Sequence, residues 1–247
     1  MSEPLAVQFV HGLESGPTGT KVRHLRACGF QVLAPDMQMS VQRLDRSNSV
    51  ARNLLKLPEV HWTVGLGVLG LCAAGWRRSG GVLLGTMGLV GGVAAVRHRT
   101  WVEQAFERSF ERCVAVQARA LSAFGPDVLV GSSWGGAVCL ELVRQGLWSG
   151  PLVLLAPAYG RVGVYAGWGD QSAREAQIRA LLPSDTTIFH DLSDDVVPCE
   201  DSLRLASDDG QVLKVVSAGG HRLLGVLEDG SLERAIRKAA AGGAVSR

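Results

Sequence analysis

Gly131-Ser132-Ser133-Trp134-Gly135-Gly136 decides how this chain is read. The apolar run Asp127 to Val130 leads into it, and an apolar segment with helical spacing leads out. A strand that turns directly into a helix needs small residues around the turn, because a larger Cβ would collide with the neighbouring strand and helix. The G-x-S-x-G spacing meets that need. It makes Ser133 the candidate nucleophile on a sharp elbow and leaves Ser132 as a bystander. A glycine-rich chain can spell this pattern by chance, so the rest of the sequence has to support it.

Downstream, Thr186 to His190 reads as a strand followed by Asp191-Leu192-Ser193-Asp194-Asp195-Val196-Val197-Pro198. Val212 to Ser217 reads as another strand, followed by Ala218-Gly219-Gly220-His221-Arg222. Serine first, carboxylate second and histidine last is the chain order of triads built on such an elbow. A serine hydroxyl attacks well only while a base removes its proton, and His221 is suited to that task. A carboxylate, Asp194 or Asp195, would orient the imidazole and stabilise it once protonated. Upstream, Leu5 to Val10 reads as a strand ending in His11-Gly12-Leu13. The backbone N–H groups of Leu13 and Trp134 are the candidate oxyanion hole. His11 is read as a brace for that loop rather than a base or a metal ligand.

His11-Gly12, Gly131-x-Ser133-x-Gly135-Gly136, Asp194-x-x-Val197-Pro198 and Gly220-His221 together resemble the α/β-hydrolase superfamily. Within it, the phrasing Gly-Ser-Ser-x-Gly-Gly is similar to small single-domain bacterial carboxylesterases of the YqiA-like group. The resemblance covers most of residues 5 to 37 and 101 to 240, and it implies that Asp194 rather than Asp195 is the triad acid. It departs between about 38 and 100.

At 247 residues the chain fits one domain with a sizeable core, residues 1–247, carrying an insertion at 60–98. A net charge of +2 with mixed signs leaves no electrostatic footprint for nucleic acid. The five cysteines are scattered, odd in number and without C-x-x-C spacing, as expected of thiols in a reducing compartment. The first ten residues lack the basic stretch and long apolar core of a signal peptide. Strands at 5–10, 31–35, 127–131 and 151–155 alternate with helices at 18–28, 101–121 and 136–146. This predicts an α/β fold, a mostly parallel sheet with helices on both faces. Residues 159 to 183 stand where this fold carries its lid, and a last helix is expected from about 227 to 240.

Val60 to Trp76 and Ser79 to Val96 are uncharged, largely apolar segments of 17 and 18 residues on either side of Arg77-Arg78. As helices they would reach roughly 25 to 27 Å, against about 30 Å for a bilayer core. They predict an apolar hairpin, either a marginal membrane span or a soluble cap. Ten glycines between Thr63 and Val96 favour lipid, and Gly81-x-x-x-Gly85 and Gly88-x-x-x-Gly92 would let two helices approach backbone to backbone. Trp62, Trp76 and Trp101 fall near the ends as interfacial anchors do. Gly65-x-Gly67-x-x-Gly70 spells a dinucleotide fingerprint, but no strand precedes it and no acidic residue follows at the required distance. Basic residues flank the hairpin on both sides, which places the remaining chain at the cytoplasmic face of a membrane, the inner membrane for a bacterial protein.

The expected activity is hydrolysis of a carboxylic ester, which includes lipid-like esters and thioesters, through an acyl-enzyme on Ser133. No metal or organic cofactor is required. The alternatives are an acyltransferase using the same triad and a membrane-tethered, noncatalytic scaffold.

Overall fold

Strand β1 (Ala6–Val10) shows why this chain makes a sheet with two buried faces. Successive side chains of a strand point to opposite sides. Val7 and Phe9 join one apolar core and Val10 joins the other. The computed structural model describes residues 3–77, 80–206, 212–216 and 219–245; the side chains of residues 67, 70–91, 93–96, 212–214 and 244–245 also lie outside the description. After β1 come α1 (Thr20–Ala27), β2 (Gln31–Leu33), the short strands β3 (Met39–Ser40) and β4 (Asn48–Ser49), and α2 (Val50–Leu55). Two long helices follow, α3 (Pro58–Arg77) and α4 (Gly80–Phe124), then β5 (Val128–Ser132), α5 (Trp134–Arg144), β6 (Leu152–Leu155), α6 (Tyr159–Tyr165) and α7 (Ser172–Leu181). The chain ends with β7 (Thr187–Asp191), α8 (Cys199–Leu205), β8 (Val212–Val216), a 3₁₀ turn at Gly220–Arg222, α9 (Gly225–Glu228) and α10 (Ser231–Val245).

Six strands pair in the order β2-β1-β5-β6-β7-β8, each parallel to its neighbours. Parallel pairing requires a crossover between strands, and the helices that make the crossovers cover both faces. On one face Val10, Leu129, Leu152, Leu154 and Ile188 pack against α4, α5 and α7. On the other, Val7, Phe9, Val128, Val130, Val153 and Phe189 pack against α1 and α10. In α10 the stripe Leu232, Ala235, Ile236 and Ala239 recurs at i, i+3, i+4 and i+7 and is buried throughout. The expected α/β architecture is thus formed. Its consequence for function is geometric: all the strands end at one edge, so the loops after β1, β5, β7 and β8 gather there.

Residues 38–57, which carry no clear periodicity, fold by polar contacts. Asn48 Nδ2 donates to the carbonyl oxygens of Met37 (3.3 Å) and Ser109 (3.0 Å). Asn53 Nδ2 donates to Ser109 Oγ at 2.6 Å, and Arg112 donates to Asn53 Oδ1 at 2.7 Å. These bonds fasten α2 to α4 in a buried setting, where an unpartnered amide would cost roughly 1–3 kcal/mol.

Helices α3 and α4 pack on one another over the apolar insertion, and the arrangement differs from a free-standing hairpin at 60–98. Its second arm does not stop near residue 96. It continues without a break as one 45-residue helix, because Trp101, Ala105, Phe110, Cys113, Val114 and Leu121 carry on the helical stripe into the core. Among the described residues no helix is long and apolar enough to cross a membrane, so the expected membrane hairpin lacks support. Much of the expectation, including the packing of Gly81, Gly85 and Gly88, lies outside the described side chains. At Gly92 an added Cβ would meet nothing within 4 Å, so that glycine is not part of a tight helix seam.

Candidate active site

Ser133 follows β5 directly and precedes α5 directly, so the turn between strand and helix is a single residue. Its backbone sits at φ 54°, ψ −117°, a region L side chains rarely enter. Three hydrogen bonds hold it there: Ser133 N–H donates to Leu155 O (2.8 Å), and Ser133 O accepts from Ala137 N–H and Ala158 N–H (each 3.1 Å). The flanking glycines are required by close approach. A Cβ on Gly131 would lie 2.6 Å from Cys139 Sγ and 2.8 Å from Gly136 Cα. A Cβ on Gly135 would run into the backbone of Val10 and His11, at the end of β1.

The loops after β7 and β8 bring two more groups to this elbow. Ser133 Oγ lies 2.8 Å from His221 Nε2, and His221 Nδ1 lies 2.8 Å from Asp194 Oδ2. A carboxylate only accepts, so Nδ1 carries the proton and Nε2 is free to accept from the serine hydroxyl. The Asp194 side chain is fully buried, whereas Asp195 is exposed. Asp194 Oδ1 also accepts from the N–H groups of Val196 and Val197, both at 2.9 Å. Burial alone would raise the Asp194 carboxyl. The Val197 N–H, His221 and the Val196 N–H outweigh it and hold the group below the ordinary carboxylate range.

Two neighbouring residues that the sequence did not single out position these groups. Asp191, the last residue of β7, accepts from Ser193 N–H and Oγ through Oδ1 and from Gly220 N–H through Oδ2 (2.8 Å). One carboxylate thereby ties the loop of Asp194 to the loop of His221. His190 is fully buried behind Asp194: Nε2 donates to Val197 O at 2.9 Å and lies 3.4 Å from Asp194 Oδ2, while Nδ1 accepts from Ser202 Oγ at 2.6 Å. In sequence both look like ordinary strand-end residues. Their roles follow from partners 7 to 29 residues away.

The loop after β1 lies against the same serine. A Cβ on Gly12 would stand 3.5 Å from Ser133 Cβ and 3.4 Å from Ser132 O, so this loop passes directly beside the elbow, with Leu13 the next residue along it. Buried His11 donates from Nδ1 to Gly12 O (3.0 Å) and accepts at Nε2 from Met37 N–H (3.3 Å). Both ring nitrogens are engaged, Nδ1 within the loop and Nε2 by the segment after β2, and burial pulls the ring's pKa below its ordinary value. Trp134 is the first residue of α5, where backbone N–H groups have no partner within the helix. Next to the elbow, a cavity of about 230 Å³ is lined by Gly12, Ser132, Lys21 and Arg222 among others. Lys21 Nζ donates to Arg222 O at 2.7 Å, and burial, reinforced by the Arg222 charge, pushes the ammonium down to about 8.

Residues 159–183, expected to form a lid, are packed firmly on α4 and α5. Trp168 meets Phe110 edge-on and Tyr159 at a tilt, with ring centroids 5.4 and 5.3 Å apart, and the Arg174 guanidinium sits 4.3 Å over its ring. Buried Glu141 on α5 accepts from Tyr159 Oη at 2.9 Å and from Arg144 at 2.6 and 2.8 Å.

No family model matches the sequence, and no curated protein does. The chain aligns with several solved structures. A Thermus thermophilus protein, TT1662, aligns over 94% of this chain and 90% of its own with a TM-score of 0.51 at 16% identity. A Xanthomonas campestris "putative hydrolase of the alpha/beta superfamily" aligns over 95% of each chain with a TM-score of 0.48 at 20% identity. A "putative yden-like hydrolase" of Pectobacterium atrosepticum aligns over 96% of this chain and 91% of its own with a TM-score of 0.46 at 14% identity. The likeness to the Thermus protein is one of fold.

Proposed function

We propose that this protein is a serine hydrolase that cleaves carboxylic esters through an acyl-enzyme on Ser133. The observation that carries this reading is the unbroken relay from Ser133 Oγ to His221 Nε2 and from His221 Nδ1 to Asp194 Oδ2, each contact 2.8 Å. As Ser133 Oγ attacks the ester carbonyl, its proton passes to His221 Nε2, and buried Asp194 stabilises the imidazolium. The carbonyl electrons move onto oxygen, where the N–H groups of Leu13 and Trp134 form the oxyanion hole. Collapse of that intermediate expels the alcohol, which takes its proton from His221. Water then repeats the sequence on the acyl-enzyme, giving the acid and free Ser133.

A fluorophosphonate probe tests the reading directly. Wild-type protein labels covalently and Ser133→Ala does not; absence of wild-type labelling, or equal labelling of both, overturns it in favour of a noncatalytic scaffold. Esters of graded acyl length with an added alcohol distinguish hydrolysis from acyl transfer, because transfer produces a new ester in place of free acid.

The reading extends to where the substrate is met. On α3 Trp62, Leu66 and Leu69 lie about one turn apart and are 73%, 53% and 66% exposed. Lys56 and Arg97 are exposed near the base of the same helical pair. We infer that this face rests on an anionic lipid surface, with the cations at the headgroups, and delivers lipid-like esters to Ser133. Trp62→Glu, Leu66→Glu and Leu69→Glu, all at exposed positions, are expected to abolish co-sedimentation with vesicles containing anionic phospholipid while leaving probe labelling intact. Unchanged sedimentation refutes the lipid surface without touching the chemistry.

A further inference from the structure

On the face of the sheet covered by α1 and α10, three side chains that play no part in the relay converge. His24 and Cys28 stand one helical turn apart on α1 and its C-cap, and Glu233 reaches them from the first turn of α10. Cys28 Sγ lies 3.6 Å from His24 Nε2 and 3.4 Å from Glu233 Oε1, and His24 Nε2 is hydrogen-bonded to the same carboxylate oxygen. All three residues are partly buried, and the second carboxylate oxygen of Glu233 is buried with no partner among the described residues.

We propose that His24, Cys28 and Glu233 form a zinc site that ties α1 to α10. A tetrahedral zinc ion holds sulfur at about 2.3 Å and imidazole nitrogen or carboxylate oxygen at about 2.0–2.1 Å. Those bond lengths put sulfur about 3.6 Å from either of the other two donors. The two sulfur edges in this structure already have that length to within about 0.2 Å. The third edge, His24 to Glu233, is closed by a hydrogen bond and has to open to about 3.3 Å for the ion to enter. One imidazole, one thiolate and one carboxylate form a donor set suited to a borderline-soft dication, and a water completes the tetrahedron. Binding releases the thiol proton to solvent, so that thiolate and carboxylate balance the two charges of the ion. No oxidant or reductant takes part.

The site has a structural consequence. α1 follows β1, which leads into the Leu13 loop, and α10 closes the chain, so an ion between them links the first and last helices of the described residues. Arg237 approaches from α10, its Nη2 3.4 Å from Cys28 O, and is a cation that has to be accommodated nearby.

The test is a titration of the full chain, stripped by a chelator, with cobalt(II) as spectroscopic probe and zinc as competitor. One equivalent of cobalt is expected to produce tetrahedral ligand-field bands together with a thiolate-to-metal charge-transfer band, and zinc is expected to displace them. Cys28→Ser should lose the charge-transfer band, and His24→Ala and Glu233→Gln should weaken binding at least tenfold. Zinc should raise the Tm of wild type and not that of Cys28→Ser. The other described cysteines, Cys113, Cys139 and Cys199, are buried and lie outside this cluster, so they cannot substitute. Circular dichroism of each variant distinguishes loss of the site from loss of the fold. Absence of the bands in wild type, or their persistence in a folded Cys28→Ser, overturns the proposal.

Discussion

Asp194 shows how much chemistry one side chain can concentrate. It accepts two backbone N–H groups through one oxygen and His221 through the other, so asparagine in its place keeps the shape but can offer an N–H where His221 needs an acceptor. Asp194→Asn is expected to lower kcat by about 10⁴-fold, with KM little changed, as measured by steady-state hydrolysis of a short ester. The same carboxylate contributes to stability with a defined sign. Its folded pKa lies below the unfolded value, about 3.9, so its contribution is complete above that pH and is lost as pH falls through the lower folded value. Thermal melts of wild type and Asp194→Asn should therefore differ at neutral pH and converge as pH falls from about 4 through the lower folded value. Ser133 and His221 were legible in the sequence because the elbow spacing and the glycine-rich strand end constrain them locally. Asp191 and His190 were not, since what they do depends on Gly220, Val197 and Ser202, whose proximity only folding creates.

Among the elements, the elbow leaves no room for added side-chain atoms at its glycines. Gly135→Ala drives a methyl group into the backbone of Val10, which cannot rotate away as a side chain could. A loss of about 1–3 kcal/mol is expected, read as a lower denaturation midpoint, with weaker fluorophosphonate labelling because the end of β1 is displaced from Ser133. Helix α5 is held at its middle by Glu141, and Tyr159→Phe removes one of its bonds while Arg144 and Gln145 keep the carboxylate satisfied. That change should cost about 1 kcal/mol, a Tm drop of about 2–4 °C. Strands, the crossover helices and the amphipathic α10 could be read from period and punctuation, because their buried stripes are written in apolar residues. Helix α2 and strands β3 and β4 could not. They are fixed by amides of Asn48 and Asn53 bonding to a helix more than 50 residues away.

At the scale of the whole molecule, α4 connects the regions of the fold. One end pairs with α3 in the apolar insertion, the middle anchors α2, and the far end packs on the sheet, where Gln117 meets Gln8 of β1 at 2.8 Å. Asn53→Ala removes the bonds to Ser109 and Arg112. It is expected to cost about 1–3 kcal/mol and to raise amide hydrogen exchange in α2 ahead of the sheet. The sequence by itself determined the parallel α/β plan and the order in which Ser133, Asp194 and His221 follow strand ends, because strand period, helix period and glycine spacing act over a few residues. Only the tertiary structure decided that Asp194 and not Asp195 faces His221, and that His24 and Cys28 meet Glu233. Each of those facts depends on which loop or helix end comes to rest beside which, a matter of packing across more than 20 residues of chain that no local pattern encodes.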